Sequence, residues 1–362
     1  MRVLALITDA FGGRGGIALY NRDLLTALCS YPACTEVVAV PRLISDKLEK
    51  LPEKLRYITE GINSKVRYVQ TVLQCVRKNR QFGLILCGHI NLLPVAYIVS
   101  LWLKAPILLV IYGIDAWKPT RSLLNNYLIK KNKAFISISN ATKHKFLQWA
   151  KAEDDSGFIL PNAIHPDLYG PGPKKSSLLN RYGLQGKTVL LTVGRLSAEE
   201  HYKGFDEVIG LLPELSKDIP DISYLIVGDG SDRQRLEEKV EALGVSGKVV
   251  FAGYIPESEK ADHYRLADVF LMPGRGEGFG FVFLEAMACG IPVIASKVDG
   301  SREAVRDGTL GSVVDPENTE EIKAAILQAL QYPRGQIPDG LDYFSFNNFQ
   351  KRLHDIITHI QR

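Results

Sequence analysis

Short apolar runs and amphipathic segments alternate along the whole chain. Ten runs are rich in β-branched residues and bounded by turn residues, which predicts buried strands. They are VLALIT, TEVVAV, GLILCG, PILLVIYG, KAFISIS, TVLLTVG, SYLIVGDG, KVVFAGY, DVFLMPG and PVIAS. Segments between them, such as NSKVRYVQTVLQCVRK and DRQRLEEKVEALG, have helical spacing. This alternation predicts parallel α/β sheets with right-handed crossovers.

A stretch rich in proline and glycine, ILPNAIHPDLYGPGPKKSS at 159–177, separates two series of strands. We therefore predict two Rossmann-like parallel-sheet domains facing across a cleft, one at 1–165 and one at 166–342. Residues 343–362 are predicted to form a closing helix, with packing against the N-terminal domain as one option. Ligands of such sheets bind at the carboxyl ends of the strands.

Composition narrows the class of protein. The apolar region 90–114 is interrupted by Pro94, Lys104 and Pro106, so a core helix followed by a core strand is favoured over a membrane span. The start, MRVLALIT, lacks the features of a signal peptide. Five cysteines without CxxC or metal-ligand spacing indicate reduced thiols, so we expect a cytoplasmic protein without a bound metal.

Charge is unevenly distributed. Residues 1–165 carry 22 Lys and Arg against 11 Asp and Glu, a net of +11, and the remainder has a net of −7. Solvated helix faces would explain the basic half. Contact with an anionic membrane or lipid phosphate would also explain it, whereas we predict no nucleic-acid partner.

Two strand ends carry anion-binding features. FGGRGG, at 11–16, follows the first strand and suits an anion or a plain tight turn, but it lacks the GxGxxG spacing of a dinucleotide site, which argues against a dehydrogenase. In VGRLSAEEHYKG, Arg195 follows a strand and Lys203 precedes a helix. A cationic pair so placed could hold two phosphates.

Two glutamates stand eight positions apart in EGFGFVFLEAMACG. Glu277 is predicted on a loop after a strand, and Glu285 one turn inside a helix that starts near Phe281. The N–H groups of Phe281 and Val282 suit a phosphate. Carboxylates suit sugar and ribose hydroxyls instead. Together these features predict a nucleotide-sugar site.

At this point the residues resemble a known family. EGFGFVFLEAMACGIPVIAS resembles the Glu-seven-residues-Glu signature of the retaining glycosyltransferases of family 4, which have the GT-B fold. VGRLSAEEHYKGFDEVI, VGDGSDRQRLE, VVFAGYIP and ILPNAIHPDLY match further blocks in the same order. The resemblance covers essentially the whole chain and is strongest over 187–305.

The resemblance implies roles for individual residues. Catalysis falls to Arg195, Lys203 and Glu277, with the two cations on the donor diphosphate and Glu277 on the transferred sugar. Glu285 takes the ribose hydroxyls. The remaining donor contacts are implied for Gly15, Gly16, Tyr254, Ile255, Phe279, Gly280, Phe281 and Val282.

One departure concerns the acceptor side. The family often has a histidine where this chain has Tyr112, in VIYGIDAW. We expect Tyr112 to substitute for it or Asp115 to share the task, and His89 is a further candidate. A structural role for His89 explains the sequence equally well.

The implied reaction is retaining transfer of a hexose from a nucleoside diphosphate sugar, with UDP-glucose as first choice, to an acceptor hydroxyl. It would need no cofactor or metal, and it would serve cell-surface polysaccharide or lipid-linked glycan synthesis. Two alternatives stay open: a sugar-nucleotide epimerase of the same fold, and a non-catalytic binder of anionic membrane or lipid surfaces.

Overall fold

A computed structural model describes residues 1–361 and divides the chain into two compact units. One unit contains Met1–Ala163 and the residues from Phe346 onward, and the other is Ile164–Ser345. Each unit has its own parallel sheet and its own hydrophobic core. The predicted pair of parallel-sheet α/β domains is therefore confirmed.

The first sheet has seven strands in the order β3-β2-β1-β4-β5-β6-β7. They are β1 Arg2–Ile7, β2 Glu36–Pro41, β3 Leu55–Tyr57, β4 Leu84–Cys87, β5 Ile107–Ile111, β6 Phe135–Ser137 and β7 Gly157–Ile159. Its helices are α1 Gly15–Ser30, α2 Lys65–Lys78, α3 Leu93–Leu103, α4 Leu123–Lys131 and α5 Asn140–Ala150. The strand order reverses between β1 and β4, which is where ligands of such sheets bind.

The second sheet repeats this order with six strands, β10-β9-β8-β11-β12-β13. They are β8 Thr188–Val193, β9 Ile222–Val227, β10 Val249–Gly253, β11 Val269–Leu271, β12 Val293–Ser296 and β13 Ser312–Val314. Its helices are α6 Ser176–Tyr182, α7 Phe205–Asp218, α8 Arg233–Ala242, α9 Lys260–Tyr264, α10 Phe281–Ala288, α11 Ser301–Ala304 and α12 Thr319–Ala329. Here the order reverses between β8 and β11.

All ten predicted strands are present. They were recognisable because a parallel strand that is covered on both faces is a continuous apolar run in the sequence. The three strands without a prediction, β3, β7 and β13, have three residues each and lie at or near sheet edges. The apolar region 90–114 forms a helix, α3, and a strand, β5, as predicted; the strand is buried, whereas the helix buries only one of its sides. No helix within residues 1–361 is long and apolar enough to cross a bilayer.

The last helix, α13 Phe346–Ile360, belongs to the first unit and packs against α1. The rings of Phe349 and Tyr20 meet edge to face at 5.5 Å. His354 lies 2.9 Å from the carbonyl oxygen of Ala27. The final residue of the segment predicted as a helix, Arg362, lies outside the described residues.

Candidate active site

Lys203 lies between two carboxylates in the second unit. After β8, residues His201–Lys203 form one tight turn, and Gly204 leads into α7. The Nζ atom of Lys203 is 3.5 Å from Oε2 of Glu200 and 3.5 Å from Oε2 of Glu277. Burial alone would lower the pKa of this lysine, but the two carboxylates outweigh it and raise the pKa. Lys203 is therefore a fixed positive charge.

Arg195 shares one of these carboxylates. It follows β8 directly and forms an ion pair with Glu200, while its side chain is 70% exposed. Glu200 thus joins the two cations predicted to hold a diphosphate. Sequence reasoning did not single out Glu200, although it lies in the same segment.

The loop after β11 is fixed against the turn that carries Lys203. The N–H of Arg275 donates to the carbonyl of Tyr202 at 2.7 Å. A Cβ atom on Gly274 would lie 2.6 Å from that carbonyl oxygen, and one on Gly276 would lie 2.3 Å from the tyrosine ring. Glycine is required at both positions, and this close contact sets the position of Glu277 relative to Lys203.

A second contact braces Glu277 from β12. Its N–H donates to Oδ2 of Asp299 at 2.8 Å, and its carbonyl accepts from the N–H of Gly300 at 2.8 Å. A Cβ atom on Gly300 would lie 2.0 Å from the carbonyl oxygen of Gly278. Burial raises the pKa of Asp299 to about 6, against the opposing effect of hydrogen bonds from Ser301 and from Glu277. Asp299 was not predicted as a site residue, although its position just after the predicted strand PVIAS is a signal that could have identified it.

The first turn of α10 supplies backbone groups. Gly280 precedes the helix with φ +93°, where a Cβ atom would meet the Phe283 ring at 2.6 Å. The side chain of Phe279 is buried, with its ring 5.4 Å from that of Phe344. These residues, with Phe281 and Val282, therefore offer a helix N-terminus, which attracts anions.

Glu285 is 1% exposed and holds three donors. Its Oε1 accepts from Lys260 Nζ at 2.7 Å and from the Tyr169 hydroxyl at 3.1 Å, and its Oε2 accepts from the Tyr264 hydroxyl at 2.6 Å. Burial alone would lower the pKa of Lys260, but the Glu285 carboxylate outweighs it, so the pKa is raised. These partners were missed because they lie 21 to 116 residues away in the chain. The ribose role of Glu285 stays a prediction.

The residues predicted to contact the nucleotide base lie at the carboxyl edge of the second sheet, apart from Lys203 and Glu277. Tyr254 and Ile255 follow β10, which is two strands away from β8. Tyr254 is exposed and Ile255 is half-buried. Their role in binding a nucleotide base stays a prediction.

The first unit places its candidates at the carboxyl edge of its own sheet. Gly15 and Gly16 are exposed at the start of α1, after β1. His89 follows β4, and its Nδ1 accepts from the N–H of Asn91 at 3.0 Å. Burial lowers the pKa of His89. With Nδ1 accepting, Nε2 carries the proton of the neutral ring.

Tyr112 and Asp115 follow β5. The Tyr112 hydroxyl is buried, 2.7 Å from Oδ1 of Asn21 and 3.0 Å from the carbonyl oxygen of Gly88. Burial raises the pKa of Asp115 to about 7, although backbone N–H groups act in the opposite direction. Its Oδ2 is buried and has no hydrogen-bond partner among the described residues. Asp115 is therefore the candidate here with unused acceptor capacity, whereas the Tyr112 hydroxyl is engaged within its own domain.

Metal-ligating side chains do not cluster in the described part of the chain. Within residues 1–361, no three His, Cys, Asp or Glu side chains come together in an arrangement that could hold a metal ion. The five cysteines are free thiols.

The fold is that of GT-B glycosyltransferases. The structure of Anabaena Alr3699/HepE in complex with UDP matches with a TM-score of 0.77 and 20% identity, over 99% of this chain and 100% of that chain. A glycosyltransferase from Rickettsia africae matches with a TM-score of 0.77 and 17% identity, over 100% of this chain and 98% of that one. Likeness at this level of identity concerns the fold.

Residues 177–337 match the family described as glycosyl transferases group 1. This match and the relatives below support the predicted resemblance to family 4 glycosyltransferases, whereas the Glu-seven-residues-Glu signature and the retaining mechanism stay predictions. The matched segment contains Lys203, Glu277 and Glu285.

Curated relatives share part of the sequence. A GDP-mannose-dependent alpha-(1-6)-phosphatidylinositol monomannoside mannosyltransferase from Mycolicibacterium smegmatis is 37% identical over 203 residues, 53% of this chain and 52% of that protein. A phosphatidyl-myo-inositol mannosyltransferase from the same organism is 35% identical over 173 residues, 48% of this chain and 42% of that protein. The chain therefore spans about half the length of the curated relatives it matches.

Proposed function

We propose that this chain is a retaining hexosyltransferase that uses a nucleoside diphosphate hexose. The observation that carries the proposal is the position of Lys203, held 3.5 Å from Glu277 where the strand order of the second sheet reverses. A fixed cation beside a carboxylate suits a ligand with a phosphate next to sugar hydroxyls. The group 1 glycosyl transferase match over the same residues supports this proposal.

The donor is proposed from relatives as well as from the residues. UDP-glucose is the sequence-based choice. The name of the 37% identical relative specifies GDP-mannose, which makes GDP-mannose the stronger candidate for this chain. Both are nucleoside diphosphate hexoses, so the same cations and carboxylates would serve either one.

The mechanism follows from where charge develops. As the bond from the anomeric carbon to the diphosphate breaks, negative charge grows on the leaving group. Lys203, Arg195 and the N-terminus of α10 would stabilise that charge, and we expect no metal to be needed. Glu277 would hold sugar hydroxyls, so the acceptor would attack on the face that the diphosphate leaves, which retains the configuration.

The acceptor is proposed to be a carbohydrate or a lipid-linked glycan. Asp115 is the preferred acceptor-side residue, because its buried Oδ2 could accept a hydrogen bond from a hydroxyl. The named relatives act on phosphatidylinositol-based molecules. An acceptor of that kind would bring this chain to an anionic membrane surface as a peripheral protein.

A transfer assay with stereochemical readout tests the proposal. Purified protein is incubated with GDP-mannose or UDP-glucose and a lipid extract, and the anomeric configuration of the product is read by NMR. We expect an α-linked product from one of the two α-linked donors. A β-linked product would contradict retention, and release of an epimerised donor sugar without transfer would favour the epimerase alternative.

A further inference from the structure

The helices α2 to α5 form a layer with one sign of charge. Residues 61–152, which contain all four helices, carry 14 Lys and Arg and a single acid, Asp115. That acid follows β5 and lies largely buried, outside the helices. The positive excess of the first 165 residues therefore comes from this layer.

The four helices cover the same side of the first sheet. Each of them contributes buried residues to one hydrophobic core, for example Val72 from α2, Ala96 from α3, Leu128 from α4 and Phe146 from α5. α3 packs against α2 and α4, and α4 packs against α5. The outward surfaces of α3 and α4 are thus neighbours.

The outward surface of α4 is apolar where a solvated helix would be polar. Leu123 is 86% exposed, and Leu124 and Tyr127 are each 57% exposed. The same helix buries Asn125, which is 6% exposed. Large apolar side chains that face outward, on a helix whose polar Asn125 is buried, indicate that this surface meets something other than water.

The neighbouring α3 continues this surface. Ile98, Leu101 and Trp102 are 49%, 63% and 53% exposed. Their spacing of three and four residues puts them on one side of the helix. Val99 and Ala96 fill the opposite side and are buried.

We propose that the α3–α4 face docks this domain on an anionic lipid bilayer. The α3–α4 face consists of Ile98, Leu101, Trp102, Leu123, Leu124 and Tyr127. Leucine and isoleucine would enter the boundary of the acyl chains, and the tryptophan and tyrosine rings prefer the level of the headgroups. Exposed Lys130, Lys131 and Lys133, at the end of α4 and just beyond it, would meet lipid phosphates.

Charge and apolarity together select this partner. A second copy of the same layer would bring like charges together, which disfavours self-association through this face. A nucleic acid would match the lysines but would leave the exposed leucines against phosphates. An anionic bilayer matches both, because phosphates lie above a hydrocarbon interior.

Docking on a bilayer would bring the enzyme to a lipid-linked acceptor, and in this respect the docking proposal rests on the proposed function. Binding to vesicles is measured without turnover. Donor binding, measured by calorimetry on the same preparations, reports on the proposed function, and circular dichroism of those preparations reports on folding. Absence of donor binding would therefore count against the transferase and not against the docking face.

The experiment is co-sedimentation of the full chain with vesicles of equal parts phosphatidylglycerol and phosphatidylcholine, and with vesicles of phosphatidylcholine alone. We expect binding to the anionic vesicles that weakens as salt is raised. Leu123→Ser with Trp102→Ser should weaken it about tenfold or more, because buried apolar area is lost. Lys130→Gln with Lys131→Gln should weaken it to a similar degree of about tenfold.

Matched controls come from exposed residues outside the layer. Leu168→Ser, at a leucine 61% exposed in the second unit, and Lys217→Gln, on α7, should bind as the wild type does. The proposal is overturned by absence of binding to anionic vesicles, or by apolar variants that bind like the wild type. Binding of an RNA duplex that depends on the lysines and not on Leu123 would overturn it in favour of a nucleic-acid surface.

Discussion

The two sheets share a strand order but equip their carboxyl edges differently. In the second sheet the groups at the reversal point form ion pairs, with Lys203 between Glu200 and Glu277. In the first sheet burial favours the neutral forms: it lowers the pKa of His89 and raises that of Asp115 to about 7. Paired charges suit a diphosphate, whereas uncharged hydrogen-bonding groups suit an acceptor hydroxyl.

The two edges also differ in how they hold their groups. Around Glu277, the backbones of three loops touch at glycines, so the carboxylate is positioned by contacts that tolerate no Cβ atom. At the first edge the Cβ position of Gly15 is open, and Cβ atoms on Gly13 and Gly88 would meet side-chain atoms, of Ala18 at 2.8 Å and of Ile7 at 2.9 Å, where the second edge has backbone contacts. The comparison teaches that repeating a fold does not repeat a site: the loops after the strands decide the chemistry.

Removing the central cation should have the largest effect. In the proposed mechanism Lys203 stabilises charge on the leaving diphosphate, so we expect turnover of Lys203→Met to fall by about 10²–10³-fold. The variant also leaves Glu200 and Glu277 without the cation they share. Steady-state kinetics with the preferred donor measures this, with Lys217→Met as the control. Turnover within a few-fold of the wild type would show that the charge of Lys203 is not used.

The next effect concerns the buried partner of Glu285. Lys260→Met leaves a carboxylate that is 1% exposed without its cation, which should cost about 3 kcal/mol in the free energy of unfolding. Combining it with Glu285→Gln should recover much of that loss. Urea denaturation of the single and double variants measures both values. If the double variant were no more stable than Lys260→Met alone, the loss of stability would not come from an unpaired Glu285 carboxylate.

The glycine contacts can be broken without any change of charge. Gly300→Ala puts a methyl group within 2.0 Å of the Gly278 carbonyl oxygen, so we expect a loss of about 1–3 kcal/mol and reduced turnover as the Glu277 loop shifts. Gly247→Ala is the matched control, because nothing lies within 4 Å of its Cβ position. Thermal unfolding measures the loss of stability in both variants, and steady-state kinetics measures their turnover. A Gly300→Ala enzyme with normal turnover would refute the bracing role.

The smallest expected effect is the pH dependence of stability that Asp115 contributes. The folded-state pKa of Asp115 lies above its ordinary 3.8, so its proton is held more tightly in the native state. Its contribution to the free energy of unfolding therefore falls as pH rises from about 4 to about 7, by at most about 4 kcal/mol. In Asp115→Asn that component should be missing. Denaturation of wild type and variant across this range measures it, and parallel curves would contradict a raised pKa.

Most of the fold was predictable because each buried strand is visible in a few consecutive residues. β8 and β9 are six-residue runs and stand out, whereas β13 has three residues that mean little until they pair with β12. For the site, Arg195, Lys203 and Glu277 follow from their positions near strand ends. Asp299 and Lys260 were missed because their contacts with Glu277 and Glu285 join segments distant in the chain.

Calorimetric titration with GDP-mannose and UDP-glucose can decide whether the second sheet binds the donor. It compares the wild type with Lys203→Met, Arg195→Ala and Asp115→Asn. We expect that one donor binds the wild type, that binding is lost or strongly weakened in the two cation variants, and that Asp115→Asn binds normally. Normal binding in Lys203→Met together with loss in Asp115→Asn would contradict the assignment of the donor to the second sheet.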